Sequence, residues 1–385
     1  MKKKIFKWAA FVLPVIIIVS GYFVTPASIV LTENAKYSAY PNGLVRLSGG
    51  AGRIDTSGVG TQLVSARLFG ALPIKTVRVS VVPEREVIVS GAAIGVRLYC
   101  DGVMVIEVEN DGPARLAGLR GGDIICEVNG EIATSSEQLS AAISGGENVA
   151  LTVKSRGIPR KIELCGREGE RGMKAGMWVR DSAAGIGTMS FFDPQTLVYA
   201  SLGHPICDSD TGDIVPICRG SVSDCTIYSV KKGVAGDPGE LVGSIGKTAR
   251  GSVLENDELG LYGALDSAAE GFGAPCATRF LVKEGAAELY CDIGGGVERF
   301  SCEIEEVSKS RARGNKSMVI RVTDERLLER CGGIVQGMSG APIMQGGRLV
   351  GAVTHVFVGD PTRGYAIFAE NMLTKTDNLA SFDTP

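Results

Sequence analysis

A serine becomes a nucleophile where a base can take its proton and backbone N–H groups can hold the oxyanion it creates. Ser339 lies in Gly337-Met338-Ser339-Gly340-Ala341-Pro342. A tight glycine turn of this kind exposes the N–H groups of Gly337 and Ser339 together, and its flanking glycines let the backbone approach a scissile carbonyl. Alone the pattern is moderately specific, because a Gly-Ser turn between two strands has the same letters. The shortage of imidazoles sharpens it: the chain holds 2 histidines. His204 closes a strand-like run beside Gly203, in a glycine turn where a loop can present it. His355 alternates with Val353 and Phe357 in a strand, the pattern of a packed pocket residue. His204 is therefore read as the base, ahead of His355. The strand Arg348 to Val358 is placed to pair with substrate, with Thr354, His355 and Val356 as its pocket residues.

Other chemistries find less support. The 10 cysteines include no CxxC pair, and most sit inside apolar strand-like runs, as Cys100, Cys126 and Cys165 do. Such cysteines are more often small buried side chains than bridges or ligands. Neither histidine is framed by a close cysteine pair, so no metal is expected, nor any other cofactor. Cys207, Cys218 and Cys225, just after His204, leave one bridge open. A net charge of −3 gives no basic field for nucleic acid.

The elements that must position these residues read as mainly β: 52 glycines punctuate short Val/Ile/Leu-rich runs, and long helical periods are scarce. Lys2, Lys3, Lys4 and Lys7 precede an uncharged run from Trp8 to Val24. It reads as a transmembrane anchor over 1–25 in preference to a cleaved signal peptide, and either reading sends the rest of the chain out of the cytoplasm. Residues 26–86 read as a flexible stalk followed by a few strands.

Between 87 and 166 the pattern becomes specific. Gly112-Pro113-Ala114, Ala117-Gly118-Leu119, Gly122-Asp123, Ile124 and Val128-Asn129-Gly130 recur in an order that resembles a PDZ domain of bacterial proteases. The resemblance implies a peptide added as a strand beside Ala93-Ile94-Gly95-Val96, opposite a helix near Ser136 to Ile143.

The remaining segment, 167–385, carries WVRDSAAGIGTMSFFDP, SLGHPICDSDTGDIV, VTDERLLERCGGIVQGMSGAPI and GAVTHVFVGDPTRGYAIF. These resemble the stage IV sporulation protein B peptidase family, which joins an anchor, a PDZ domain and a chymotrypsin-like peptidase domain in this order. The resemblance implies a double β-barrel with the active site between the barrels. It maps the family's base onto His204, its nucleophile onto Ser339 and its third triad member onto Asp324, with Gly337 and Ser339 as oxyanion donors. Asp324 stands only 15 residues before Ser339; a brace for the nucleophile loop is an equal reading, and Asp208, Asp210 and Asp213 are rivals.

The same resemblance implies a serine endopeptidase that cuts its own N-terminal region. It would also cut a membrane-bound regulator of an intramembrane protease in the space between forespore and mother cell, so activating a late sigma factor. Two other classes stand beside it: a non-catalytic PDZ scaffold with a peptidase-like domain, and a redox or metal protein using the cysteines.

Overall fold

The computed structural model describes residues 2–37, 44–48, 54–145, 148–169, 172–208, 211–217 and 219–382. The chain opens with helix α1 (Lys2–Val24), which contains Pro14. Among the described residues no helix is long and apolar enough to cross a membrane. The apolar side chains Val12, Leu13, Ile16, Val19, Phe23 and Val24 of α1 nevertheless stand exposed.

Among the described residues no stalk follows Val24. Thr25 Oγ1 donates to Gly21 O at 2.6 Å, Lys75 Nζ donates to Thr25 O at 2.8 Å, and Ser28–Thr32 is already a strand. It lies in a four-stranded sheet, in the order Ser28–Thr32, Leu72–Val82, Gly60–Leu68 and Val45–Ser48. Alternation in these strands turns Ile29, Leu31, Leu47, Val64, Val77 and Val79 into one core. Phe280, from the link between the barrels, completes that core, and Thr278 Oγ1 donates to Val30 O at 2.8 Å.

The expected double barrel is present. In the first, Ala93–Val108 pairs with Arg219–Lys231, followed in turn by Glu240–Asp257, Gly260–Leu265, Val198–Ser201 and Met177–Phe192. Met177–Phe192 pairs back onto Ala93–Val108 and closes the ring. The second is closed by Gly285–Asp292, Val297–Val307, Met318–Val322, Asp360–Phe368, Arg348–Phe357 and Pro342–Gln345. Leu289, Phe300, Ile304, Ile320, Val350 and Val353 fill it.

The domain boundary at 167 needs correction. Ala93–Val108 and Met177–Phe192 are both 16-residue strands. Their inner halves belong to the first barrel, where Ala93 pairs with Thr188 and Tyr99 with Ser182. Their outer halves belong to the PDZ fold, where Met104 pairs with Arg180 and Val108 with Met177. A β-ribbon thus leaves the barrel and returns to it. The PDZ fold is inserted in the peptidase domain instead of preceding it, and Glu86–Val89 is likewise barrel, paired with Phe191 and Phe192.

The inserted fold comprises α2 (Pro113–Leu116), α3 (Ser136–Ser144) and strands Ile124–Val128, Val149–Ser155 and Ile158–Leu164 around Val105, Leu119, Ile125, Leu139 and Leu151. Its motif residues are structural. Asp123 is buried, accepts from Arg120 N at 3.0 Å and pairs with Arg160 at 2.7 Å. Helix α4 (Glu325–Cys331) leads into the nucleophile turn, and α5 (Ala369–Phe382) folds back across the barrels. The latter is held by Arg279–Glu370 at 2.9 Å and Lys375–Glu255 at 2.7 Å.

Candidate active site

After α4, Gly332 ends the helix in a left-handed conformation with φ 77°. The chain then turns sharply through Gly337 (φ 97°) and Gly340 (φ 95°). Met338 N donates to Val335 O at 3.1 Å and Gly340 N to Val353 O at 2.8 Å. Among the described residues, the N–H groups of Gly337 and Ser339 have no protein acceptor. Two unspent donors flanking one bonded donor are what an oxyanion site requires.

The first barrel grips this turn from across the seam. Thr188 Oγ1 donates to Gly337 O at 2.8 Å, Thr188 N to Ser339 O at 2.9 Å, and Ser190 Oγ to Gly340 O at 2.7 Å. Sequence reasoning missed both residues. They alternate with apolar neighbours in TMSFF, and a polar side chain kept on a buried strand face was the available signal.

His204 arrives from the same barrel. Strand Val198–Ser201 ends in Leu202 (φ 64°) and Gly203 (φ 68°). A Cβ on Gly203 would lie 2.9 Å from Thr354 Cγ2, so the turn is seated on strand Arg348–Phe357. His204 and His355 then lie ring beside ring, with centroids 4.9 Å apart, and Ser339 Oγ donates to Thr354 O at 2.9 Å. His204 and Ser339 are therefore each held against one strand, at the consecutive residues 355 and 354.

The imidazole is held by backbone. His204 Nδ1 lies 2.7 Å from Pro205 O, and since a carbonyl only accepts, the proton sits on Nδ1 and Nε2 is left as the basic nitrogen. Burial lowers the pKa of His204 below 6.5, opposed by the Pro205 carbonyl. His355 is pushed down to about 4 by burial, then by His204 and Lys316. Its Nδ1 is buried without a partner. Both rings are neutral at pH 7.

Asp324 is not brought to His204. It is the N-cap of α4: its carboxylate accepts from Arg326 N at 3.1 Å and Ser301 N at 3.1 Å and pairs with the Arg326 guanidinium at 3.0 Å. His355 and Val319 both lie opposite Tyr365. The strand of Val319 runs three residues further, to Val322, roughly 10 Å at about 3.3 Å per residue, and Asp324 lies two residues beyond that end. The bracing reading is the one this geometry fits. Asp208 is fully buried and paired with Arg180, Asp213 is exposed, and Asp210 lies outside the described residues. Among the described residues no carboxylate bonds to His204.

Thr354 is buried, and its Oγ1 donates to Asn315 O at 2.9 Å; His355 and Val356 are half-buried. Strand Pro342–Gln345 covers the neighbouring edge only as far as Ala352. Beyond Val353 the side toward Ser339 carries no described strand, as a substrate-pairing edge requires. Cys207 and Cys225 are free thiols, and Cys218 lies outside the described residues.

The peptide-binding assignment moves. Ala93, Ile94, Gly95 and Val96 are paired on one edge with Thr188 to Gly185 and, from Ile94 to Val96, on the other with Asp224 to Val222. Both edges are taken, so no peptide can add there. A cavity of about 330 Å³ instead lies between α3 and the outer part of Met177–Phe192, lined by Leu139, Ile143, Met173, Met177, Trp178 and Val179. The glycine ahead of this strand, in Lys174-Ala175-Gly176-Met177, was the legible signal. A larger cavity, about 850 Å³, opens between the PDZ fold and residues 213–216, away from Ser339.

Two closed barrels with a serine and a histidine across their seam define the class: a two-barrel serine peptidase fold with an inserted PDZ domain. The chain belongs to the SpoIVB peptidase S55 family, whose model matches residues 171–373. A PDZ-domain model matches residues 75–164. A probable periplasmic serine endoprotease DegP-like of Brucella suis is 30% identical over 167 residues, which is 40% of this chain and 31% of that protein. The chain thus spans about a third of the length of the curated relatives it matches. Among solved structures, the PDZ domain of an SdrC-like protein from Listeria monocytogenes is 26% identical, covering 20% of this chain and 87% of that one, with TM-score 0.19. The active form of the Rv3671c protease from M. tuberculosis is 16% identical, covering 51% and 74% respectively, with TM-score 0.28.

Proposed function

We propose that this chain is a membrane-anchored, extracytoplasmic serine endopeptidase with Ser339 as nucleophile and His204 as general base. The carrying observation is that His204 and Ser339 rest on adjacent residues His355 and Thr354, beside two unspent N–H groups at Gly337 and Ser339. In the resting arrangement the Ser339 hydroxyl donates to Thr354 O. Rotation about its side chain turns it toward Nε2 of His204, which accepts the proton as Oγ attacks the substrate carbonyl. Gly337 and Ser339 N–H groups hold the oxyanion. His204 then returns the proton to the leaving amine, and water releases the acyl group by the reverse path.

Family membership supports cleavage of an extracytoplasmic regulator that controls an intramembrane protease, and with it sporulation signalling between compartments. The exposed apolar side chains of α1 suit burial in a membrane. Self-cleavage after Val24 would need release of a segment that is built into the N-terminal sheet.

The test compares the unmodified chain with Ser339→Ala and His204→Ala for self-shortening on a gel and for labelling by a fluorophosphonate. Shortening and labelling confined to the unmodified chain uphold the reading. Equal behaviour of all three, without labelling, makes the chain a PDZ scaffold.

A further inference from the structure

Among the described residues no carboxylate braces His204, and its ring bonds to the backbone that follows it. Pro205 supplies the acceptor for Nδ1, and residues 206–208 pair as a hairpin with residues 213–215. The base of this hairpin is pinned: Val215 N donates to Ile206 O at 3.0 Å. Asn256 accepts from Ile206 N at 2.8 Å and donates to Ile206 O at 2.9 Å and Val215 O at 3.0 Å. Farther out, the hairpin is organised around Asp208, whose carboxylate accepts from Thr211 N at 3.0 Å while its carbonyl accepts from Gly212 N at 2.9 Å.

Asp208 is fully buried, and its charge is met by Arg180, which does not belong to the hairpin. Arg180 sits where the β-ribbon passes from barrel to PDZ fold, at a register shift between Arg180 and Ser182. Its chain neighbours serve the PDZ groove. Trp178 and Val179 line it, and the Asp181 carboxylate accepts from Ser136 N at 2.7 Å and Ser136 Oγ at 3.0 Å, at the first turn of the groove helix α3. Four consecutive residues thus touch both walls of the peptide groove and the hairpin that aims His204.

We propose that Arg180 and Asp208 form a positioning pair through which the PDZ fold sets the aim of the His204 imidazole. A buried carboxylate that loses this counter-charge is pushed toward protonation or toward water. Either change shifts the hairpin, and with it the Pro205 carbonyl that orients the ring. The PDZ insertion is then part of the catalytic frame, and a peptide seated between α3 and Trp178 acts on His204 through Arg180.

This inference rests on Ser339 and His204 being nucleophile and base. The experiment is the rate of Ser339 labelling by a fluorophosphonate in the full-length chain, with thermal unfolding measured on the same samples. Arg180→Gln and Asp208→Asn should each slow labelling about tenfold, and the double variant should be no slower than the slower single one, since both break one contact. Arg180→Lys, which keeps the charge, should stay within about threefold. Singles that are folded and label within about twofold of the unmodified chain overturn the proposal. So does labelling that falls only in step with the folded fraction. Should Arg180→Gln fail to fold, the near-isosteric Asp208→Asn decides alone. No labelling of the unmodified chain, or labelling that survives Ser339→Ala, would instead remove the nucleophile assignment and this inference with it.

Discussion

His204 and His355 lie ring beside ring, 4.9 Å between centroids, and among the described residues no carboxylate bonds to His204. Burial displaces both rings toward the neutral form, and at His355 the neighbouring His204 adds to the shift. The base is therefore ready at neutral pH without an acidic partner. Labelling of Ser339 should rise with pH to a midpoint below 6.5, the unshifted histidine value, and be flat above neutrality. A midpoint above 7 would mean that a carboxylate reaches His204 in the working enzyme.

The same displacement has a consequence for stability. The unfolded chain takes up protons at His355 near pH 6.5, whereas the folded chain resists until about 4. Stability from this group is therefore complete above pH 6.5 and is lost as the pH falls toward 4. Urea midpoints measured across that range should drop, and His355→Gln should flatten the slope.

Asp324 carries a different expectation. As the N-cap of α4 it anchors the helix that delivers the nucleophile turn, so Asp324→Ala should cost about 1 kcal/mol of stability and lower activity through the turn. Asp324→Asn retains much of the cap and should recover most of both. The pH midpoint of Ser339 labelling should be the same in all three chains. A shifted midpoint in Asp324→Asn would restore the aspartate to the triad.

Thr188 offers a test of the seam between the barrels. Its hydroxyl holds the Gly337 carbonyl, which fixes the Gly337–Met338 peptide of the nucleophile turn. Thr188→Val keeps the shape and removes the donor, so kcat on a peptide substrate should fall about tenfold with KM little changed. A rise in KM at constant kcat would assign Thr188 to substrate binding instead.

Ser339, His204 and the PDZ motif were legible because each depends on glycines whose conformations other residues rarely adopt. Gly337, Gly340, Gly203, Gly118, Gly122 and Gly130 all have positive φ. The same punctuation marked the chain as mainly β, while the pair of barrels was implied by the family resemblance. What stayed hidden was continuity. The strand Ala93–Val108 crosses from one fold to the next through Asp101-Gly102, which in sequence reads as a break between two strands, so the ribbon that carries the insertion went unseen. The peptide groove was misplaced for that reason, since Ala93–Val96 has the composition of a groove strand but has barrel neighbours on both edges. Asp324 was ambiguous because an aspartate ahead of Glu325 and Arg326 reads equally as a cap and as an acid partner. Register across Tyr365 separates the two, and register is not written in one strand's sequence.

Gly340 provides the sharpest test of how the two barrels meet. Its φ of 95° excludes ordinary side chains, and a Cβ there would stand 2.0 Å from Thr188 O and 2.5 Å from Leu202 N. Those atoms belong to the strand that grips the nucleophile turn and to the turn that presents His204. Gly340→Ala must therefore push base and nucleophile apart as well as strain the backbone, and should cost about 2–3 kcal/mol and at least a hundredfold in Ser339 labelling. Gly359→Ala makes the matched control, because nothing lies within 4 Å of its added Cβ; it should change stability by no more than about 0.5 kcal/mol. Thermal unfolding and labelling kinetics on the two variants measure the difference. Normal labelling in Gly340→Ala would show that the barrels do not close on each other through this residue.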